Sequence, residues 1–119
     1  MAQKVIMISR IWHGWTSKEN ANAYDVLLRN EIFPGILARN IIGLRRIELF
    51  RAPDGEDVEF ITVMWFETMA AIKAFAGEDY ETAVVPDTAR ALLKRFEPKS
   101  RHYNVRDTHD IPPPAPPVS

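Results

Sequence analysis

Short apolar runs alternate with segments of helical period along this chain. "VIMISRIW" (5–12) is rich in β-branched and apolar residues and has the length of a strand. Both of its alternating faces are mostly apolar, which is typical of a strand covered on both sides. Apolar residues then recur three to four positions apart, so a helix is predicted over about 17–32. Pro34 and Gly35 are expected to end that helix, because proline lacks an N–H and clashes with the preceding turn.

The start of this helix has two possible caps. Thr16 and Glu19 have the spacing of a capping box, in which a hydroxyl accepts from a backbone N–H and a carboxylate reaches back to the cap. Ser17 is the alternative cap. Both place the junction between strand and helix directly after "WHGW".

Two longer strand-like runs follow, "GLRRIELFRA" (43–52) and "DVEFITVMWFE" (57–67). Asp54 and Gly55 lie between them, and Asp-Gly flanked by such runs is a strong hairpin signal. Both faces of both runs carry apolar residues. The pair is therefore predicted to form a hairpin that is covered on both sides.

The last third of the chain predicts two helical pieces and a strand. "TMAAIKAFAG" has helical spacing and ends at Gly77. Pro86 is suited to a first helical position, and an apolar stripe continues from there to Phe96, which predicts a helix over that range. "RHYNVRD" (101–107) is predicted as the last strand.

This order predicts an α+β, ferredoxin-like βαββαβ fold with a four-stranded antiparallel sheet and helices on one face. The other face is apolar on at least three strands, which is more than a lone sheet exposes. Packing that face against a second copy would cover it, so a homodimer is expected. The ferredoxin-like domain is placed at residues 1–107 and a proline-rich tail at residues 108–119.

The tail "IPPPAPPVS" holds five of the nine prolines of the chain. Such a segment cannot join a helix or a central strand, and an extended polyproline conformation is expected. Two interpretations stay open at this point. The tail is either disordered or an arm that lies on a partner subunit.

Composition narrows the function. The 119 residues include no cysteine, which excludes disulfides, thiolate catalysis and cysteine-ligated metal sites. The formal net charge of −1, with acids and bases interspersed, gives no sign of nucleic-acid binding. The apolar run near the N-terminus is too short for a signal peptide or a membrane span. A cytoplasmic location is therefore expected.

Four stretches resemble the antibiotic biosynthesis monooxygenase superfamily, and in particular its small bacterial members. They are "RIWHGWTSKENANAYDVLLRNEIFPGI", "GLRRIELFRAPDGEDVEFITVMWFE", "AAIKAFAGEDYETAVVP" and "RHYNV". The likeness covers about residues 4 to 106. It implies a homodimer whose two sheets form an α+β barrel, with a cavity between sheet and helices in each protomer.

Two branches of that superfamily can be compared with these residues. The quinone-forming monooxygenases oxidise aromatic polyketides with oxygen and without a cofactor, using polar and aromatic side chains. Trp65 resembles their tryptophan near the end of the third strand, and Arg10 is a candidate cavity arginine, but no asparagine lies on the first strand. The haem-degrading branch needs a histidine and a tryptophan on the second helical segment. Residues 66–99 contain neither, which argues against that branch.

The chemical candidates are few. His13 is a candidate general base, with local hydrogen bonding as the alternative. For His102, on the last strand, a pairing with Ser9 or His13 is one interpretation and structural packing is the other. Trp12 and Trp65 either stack on a planar substrate or fill the core. A buried Arg10 needs a partner, for which Glu59, Glu67, Tyr24 or a ligand acid are the candidates.

Other classes of site have no support in the sequence. Three scattered histidines, with His109 in the tail, do not have the spacing of a metal site. The chain contains no glycine-rich nucleotide motif, P-loop, nucleophile elbow or HExxH. No cofactor is therefore expected.

The leading hypothesis is a cofactor-independent monooxygenase or related enzyme that acts on a small hydrophobic or aromatic molecule. His13 or His102 would be catalytic by moving a proton. Four side chains would bind the substrate: Arg10, Trp12, Tyr24 and Trp65. Two alternatives stay open, a non-catalytic dimeric binding or stress-related protein and an isomerase or cyclase that works by proton transfer alone.

Overall fold

The computed structural model describes residues 7–118, so Val5 and Ile6 of the predicted first strand lie outside the described residues. The strands are β1 Met7–Ser17, β2 Leu44–Asp54, β3 Asp57–Phe66, β4 Leu93–Phe96 and β5 Arg101–Val105. The α-helices are α1 Lys18–Leu27, α2 Phe33–Ala38, α3 Met69–Ala76 and α4 Asp87–Arg90, and a π-helical turn, Leu28–Ile32, joins α1 to α2.

The sheet is antiparallel, with the order β2-β3-β1-β4. β3 separates β1 from β2, as in a split βαβ unit. The edge of β1 that faces away from β3 pairs with two strands. β5 pairs with Met7–Ile11, and β4 pairs with residues 14–16. The predicted α+β, ferredoxin-like fold is confirmed, and two short strands together occupy the fourth position of the sheet.

The core lies between the sheet and the helices and has two parts. Around Tyr24 and Phe60, α1 packs on β3, and the two rings meet edge to face at 4.8 Å. Around Ile72 and Phe66, α3 packs on the other end of the same strand. These two clusters leave a gap between them, above the middle of β1 and β3.

β1 runs five residues beyond the predicted end at Trp12, and this extension decides the cap. Thr16 lies within the strand opposite Val58, where its buried hydroxyl has no hydrogen-bond partner among the described residues. The capping box at Thr16 is therefore wrong. Ser17 is the cap, and its hydroxyl accepts from the Asn20 N–H at 3.2 Å.

The helical layer continues past Pro34, where the sequence predicted an end. The Phe33 N–H donates to the Leu28 carbonyl, five residues back, which makes the turn before the proline π-helical. Pro34 then lies in the first turn of α2, where a missing N–H costs least. The helical segment therefore carries Phe33 and Ile36 over the sheet.

The predicted helix from Pro86 to Phe96 is wrong beyond its first turn. α4 ends at Arg90, and residues 93–96 form β4 instead. The extension of β1 offers a free edge there, and Phe96 reaches the ring of Trp12 at 5.9 Å. Strand pairing and this aromatic contact override the helical spacing, since propensity is a weak prior.

Gly14 leaves room on β1 for the ring of Trp12. A Cβ at this position would lie 2.9 Å from the Trp12 ring and 3.0 Å from Leu93. Only glycine lets the Trp12 ring fold back over the strand, where its Nε1 donates to the Glu97 carbonyl at 2.7 Å. The "WHGW" motif is therefore in part a packing device.

Candidate functional site

A cavity of about 60 Å³ lies between the sheet and the helical layer. Most of its wall is apolar and comes from both core clusters, with Val84 and Val85 closing one side. Its polar lining residues are Arg10, Tyr24, Thr62 and Ser100. Apolar walls with a few convergent polar groups are the usual composition of a small-molecule site.

Arg10 is directed towards the helices by its register on β1, opposite Met64. Its Nη1 donates to the Tyr80 carbonyl and lies 3.1 Å from His102 Nε2, and its Nη2 donates to the Thr82 carbonyl at 3.2 Å. The guanidinium also lies over the ring of Phe75 at 5.5 Å. Arg10 thus ties β1 to β5 and to the segment between α3 and α4.

The charge of Arg10 is buried without a counterion. The residue is 3% exposed, and no carboxylate in residues 7–118 lies within ion-pair distance of it. Burial lowers its pKa to about 10, which still leaves it protonated at neutral pH. A guanidinium has five N–H donors, and the described residues accept three, so donors remain for a ligand.

The three protein side chains predicted as partners of Arg10 do not pair with it. Glu59 binds His13 at 2.8 Å on the opposite face of the sheet, and Glu67 lies 3.3 Å from Arg45. Tyr24 lines the same cavity but makes no hydrogen bond to Arg10 in the described structure. Backbone carbonyls and a histidine satisfy the guanidinium instead, because β1 and β5 bring Arg10 opposite His102.

His102 is held neutral by this arrangement. Burial lowers its pKa, and the positive charge of Arg10 lowers it further, while Glu81 acts in the opposite direction. Because Arg10 carries only donors, Nε2 accepts and the ring proton belongs on Nδ1. The predicted pairing of His102 with Ser9 or His13 does not form, since both of those residues point to the other face.

The lowered pKa of His102 predicts a loss of stability in mild acid. The unfolded chain binds a proton at this histidine below about pH 6.5, before the folded chain does. The contribution of His102 to the free energy of unfolding is therefore complete above that pH. It declines as the pH falls towards the pKa of His102 in the folded protein. Urea unfolding at pH 7.5 and pH 5.0 should show wild type losing more stability than His102→Gln. Equal losses in the two proteins would contradict the prediction.

Trp12 and Tyr24 both line the cavity. The Trp12 ring forms part of the wall, with its Nε1 held by the Glu97 carbonyl. Tyr24 is 1% exposed, and burial raises the pKa of its hydroxyl well above the ordinary value. The phenol therefore stays protonated at neutral pH and can act only as a neutral hydrogen-bonding group.

Trp65 and His13 lie on the opposite face of the sheet, outside the cavity. Trp65 is opposite Ser9 in the register, and its Nε1 donates to the Glu48 carboxylate at 2.8 Å. His13 Nδ1 lies 2.8 Å from Glu59. The structure thus separates the predicted site residues into two groups, with Arg10, Trp12, Tyr24 and His102 towards the helices and His13 and Trp65 away from them.

Two polar cavity residues were missed by the sequence analysis. Thr62 lies between Phe60 and Met64 on the same face of β3. The two-residue period of the strand was therefore sufficient to predict its position. Ser100 precedes β5 and is buried at the cavity wall, and nothing in its sequence context distinguishes it.

No group of three or more possible metal ligands occurs among residues 7–118. In the same part of the chain, no helix has the length and apolar character needed to cross a membrane.

Two of the comparisons with known proteins give no match. No protein-family model matches the chain. No curated protein matches it significantly either.

Solved structures match it over most of its length. An antibiotic biosynthesis monooxygenase-type protein from Bacillus cereus is 10% identical, with a TM-score of 0.61, over 92% of this chain and 100% of that one. The monooxygenase ActVA-Orf6 of Streptomyces coelicolor, solved with nanaomycin D, is 15% identical, with a TM-score of 0.57, over 92% and 93%.

A dimeric ferredoxin-like protein from an uncultured marine organism is 10% identical, with a TM-score of 0.55, over 92% of this chain and 95% of that one. At such identities the likeness shows the fold alone, because one fold supports many activities. The chain therefore has the fold of the antibiotic biosynthesis monooxygenases and of the dimeric ferredoxin-like proteins.

Proposed function

We propose that this protein is a cofactor-independent monooxygenase that oxidises small phenols in the cavity between its sheet and helices. One observation carries the proposal: Arg10 presents a buried positive charge without a counterion at the wall of an apolar cavity. A phenolate supplies the missing negative charge and fills the apolar space with its ring. Burial strengthens this attraction, since the effective dielectric constant there is below that of water.

The side chains around the cavity have separate roles in this proposal. Arg10 binds the phenolate oxygen and so lowers the pKa of the bound phenol. Trp12 packs against the ring, and the Tyr24 hydroxyl, which stays protonated, donates a hydrogen bond. His102 reaches the cavity only through Arg10, which supports a positioning role for it.

The reaction balances without a cofactor. The ring position para to the phenol loses its hydrogen and gains one oxygen atom from O₂, and the phenol loses its proton. Those two hydrogens leave with the second oxygen atom as water, so one phenol and one O₂ give one quinone and one water. The ionised phenol is the electron donor, which is why the cation that stabilises it is the central group.

The size of the cavity restricts the substrate. At about 60 Å³ it is smaller than the roughly 300–1,000 Å³ of pockets for drug-sized ligands. Monocyclic phenols are therefore expected to react faster than tricyclic ones.

The test is oxygen uptake with mono-, bi- and tricyclic phenols, measured in the presence of a chelator and without added flavin. One O₂ should be consumed per quinone, and ¹⁸O from labelled O₂ should enter the product. Heat-denatured protein is the control. Thermal stabilisation by a phenol without oxygen uptake would contradict the enzyme and leave a binding protein, whereas product isomers formed without oxygen would indicate proton transfer alone.

A homodimer is the second part of the proposal. The sheet face away from the helices carries apolar and aromatic side chains, among them Phe50, Ile61 and Trp65, and Phe50 is exposed in the protomer. A second copy would cover them through a two-fold interface. The absence of cysteine agrees with a cytoplasmic location for such a dimer.

A further inference from the structure

A second depression lies on the sheet face away from the helices, at the end of the sheet where β1, β4 and β5 meet. Its volume is about 340 Å³, and aromatic side chains of Trp15 and Tyr103 line it. Lys99 and Arg101 stand at its rim, together with one acid, Glu97. We refer to this depression as the aromatic groove.

Arg101 is the cation of the groove that is free for a partner. Its guanidinium lies over the Tyr103 ring at 5.0 Å and makes no ion pair within residues 7–118. Lys99 is only loosely engaged, 3.9 Å from Glu81. Trp15 is fixed in place, because its Nε1 donates to Asp54 at 2.9 Å and Arg95 lies over its ring at 3.9 Å. The groove thus has an aromatic floor, in which Trp15 is held in place, with positive charge beside it.

The C-terminal tail has complementary properties. Residues 106–118 have no helix or strand, and each of them is exposed. Asp110 precedes the proline-rich run and makes no ion pair within the described residues, whereas Asp107 is paired with His109 at 2.8 Å. Proline-rich segments are recognised in aromatic-lined grooves, because their extended conformation is already formed and loses little entropy on binding.

The direction of β5 carries the tail away from the groove of its own chain. Arg101 lies opposite Ile11, near the groove, and Val105 lies opposite Met7, at the other end of the pairing. The tail leaves the sheet after Val105, and because each of residues 106–118 is exposed, it does not lie in the groove of its own chain. Nine residues of polyproline conformation reach about 28 Å, which is the length available to the tail for a contact outside its own protomer.

We propose that residues 110–118 form an arm that lies in the aromatic groove of the partner protomer. The prolines pack on Trp15 and Tyr103, and Asp110 pairs with Arg101 of the other chain. Because a two-fold dimer uses each surface twice, the two arms are exchanged symmetrically. The proposal rests on the homodimer proposed above and is independent of the oxidation chemistry.

Cross-linking between two different chains tests it, since the protein has no cysteine of its own. One chain carries Lys99→Cys, and the other, lengthened by a tag, carries Ala115→Cys or Val118→Cys. After mixing and mild oxidation, a denaturing gel should show a covalent heterodimer of intermediate size. Val26→Cys replaces the groove cysteine in the control, because Val26 is exposed on helix α1.

Charge reversal makes the test specific. Arg101→Glu in the groove chain should lower the yield of heterodimer about fivefold, as expected for the loss of about 1 kcal/mol. Asp110→Lys in the tail chain should restore it.

Three results would overturn the proposal. The first is a yield no higher than that of the Val26→Cys control. The second is a disulfide that forms only when both cysteines are on one chain, which would place the arm in its own groove. The third is a monomer in sedimentation of the unmodified protein, which would remove the homodimer as well while leaving the oxygen-uptake result unaffected.

Discussion

Replacing Arg10 with methionine is expected to lower phenol oxidation about 10²–10³-fold, the usual cost of removing a donor that stabilises developing negative charge. The same change is expected to lower the free energy of unfolding by about 1–3 kcal/mol. Two part-buried backbone carbonyls, of Tyr80 and Thr82, lose their donor, and only a fully buried acceptor without a partner costs the full amount of about 1–3 kcal/mol by itself. Relief from burying an uncompensated charge offsets part of that cost.

Arg10→Lys separates charge from geometry. Lysine keeps the positive charge but lacks the planar fork that reaches two carbonyls and His102 together. Its activity should fall between those of the wild type and of Arg10→Met, with a larger change in KM than in kcat. Steady-state oxygen uptake and urea unfolding give the two readouts. Full activity in a folded Arg10→Met protein would remove the central support for the proposed function.

Replacing Ile72 with alanine is expected to lower the free energy of unfolding by about 2–5 kcal/mol, the range for deleting a large aliphatic side chain from a core. Ile72 is 0% exposed and packs with Met64 and Phe66 between α3 and the sheet. Closure of the resulting cavity is restricted, because the β3 strand beneath it is paired on both sides.

Ile42→Ala is the matched control, since Ile42 is 91% exposed and the chemical change is identical. Its effect should stay within about 0.5 kcal/mol. Urea unfolding of both variants at one fixed protein concentration makes the comparison, because association with a partner adds a concentration-dependent term. Equal effects at positions 42 and 72 would contradict the described core.

Much of the fold could be predicted from the sequence because the signals were local. The hairpin is an example, since Asp54 and Gly55 set the turn and the flanking runs have the length of strands. Gly77 ends α3 as predicted, with a positive φ of 89°. The helix predicted from Pro86 to Phe96 failed for a tertiary reason. Residues 93–96 form a strand because the extended β1 offers them an edge to pair with.

The candidate site was predicted in part, for the same reason. Arg10 and Trp12 were assigned to one strand face by the period of two, and the structure keeps them together at the cavity. The sequence could not say which face looks towards the helices, because both faces are mostly apolar. The partners of Arg10 could not be predicted either. Tyr80 and Thr82 accept through backbone carbonyls, which every residue has.

By itself, then, the sequence determined the order of the main elements, the ferredoxin-like class and the shared face of Arg10 and Trp12. These follow from periodicity and turn chemistry, which act over a few residues. Only the tertiary structure decided that His102 meets Arg10 and that His13 and Trp65 lie on the other side of the sheet. The first depends on the register between β1 and β5, and the second depends on which face of the sheet the helices cover. Neither can be read from neighbouring residues, because register and layer packing arise from contacts between residues far apart in the chain.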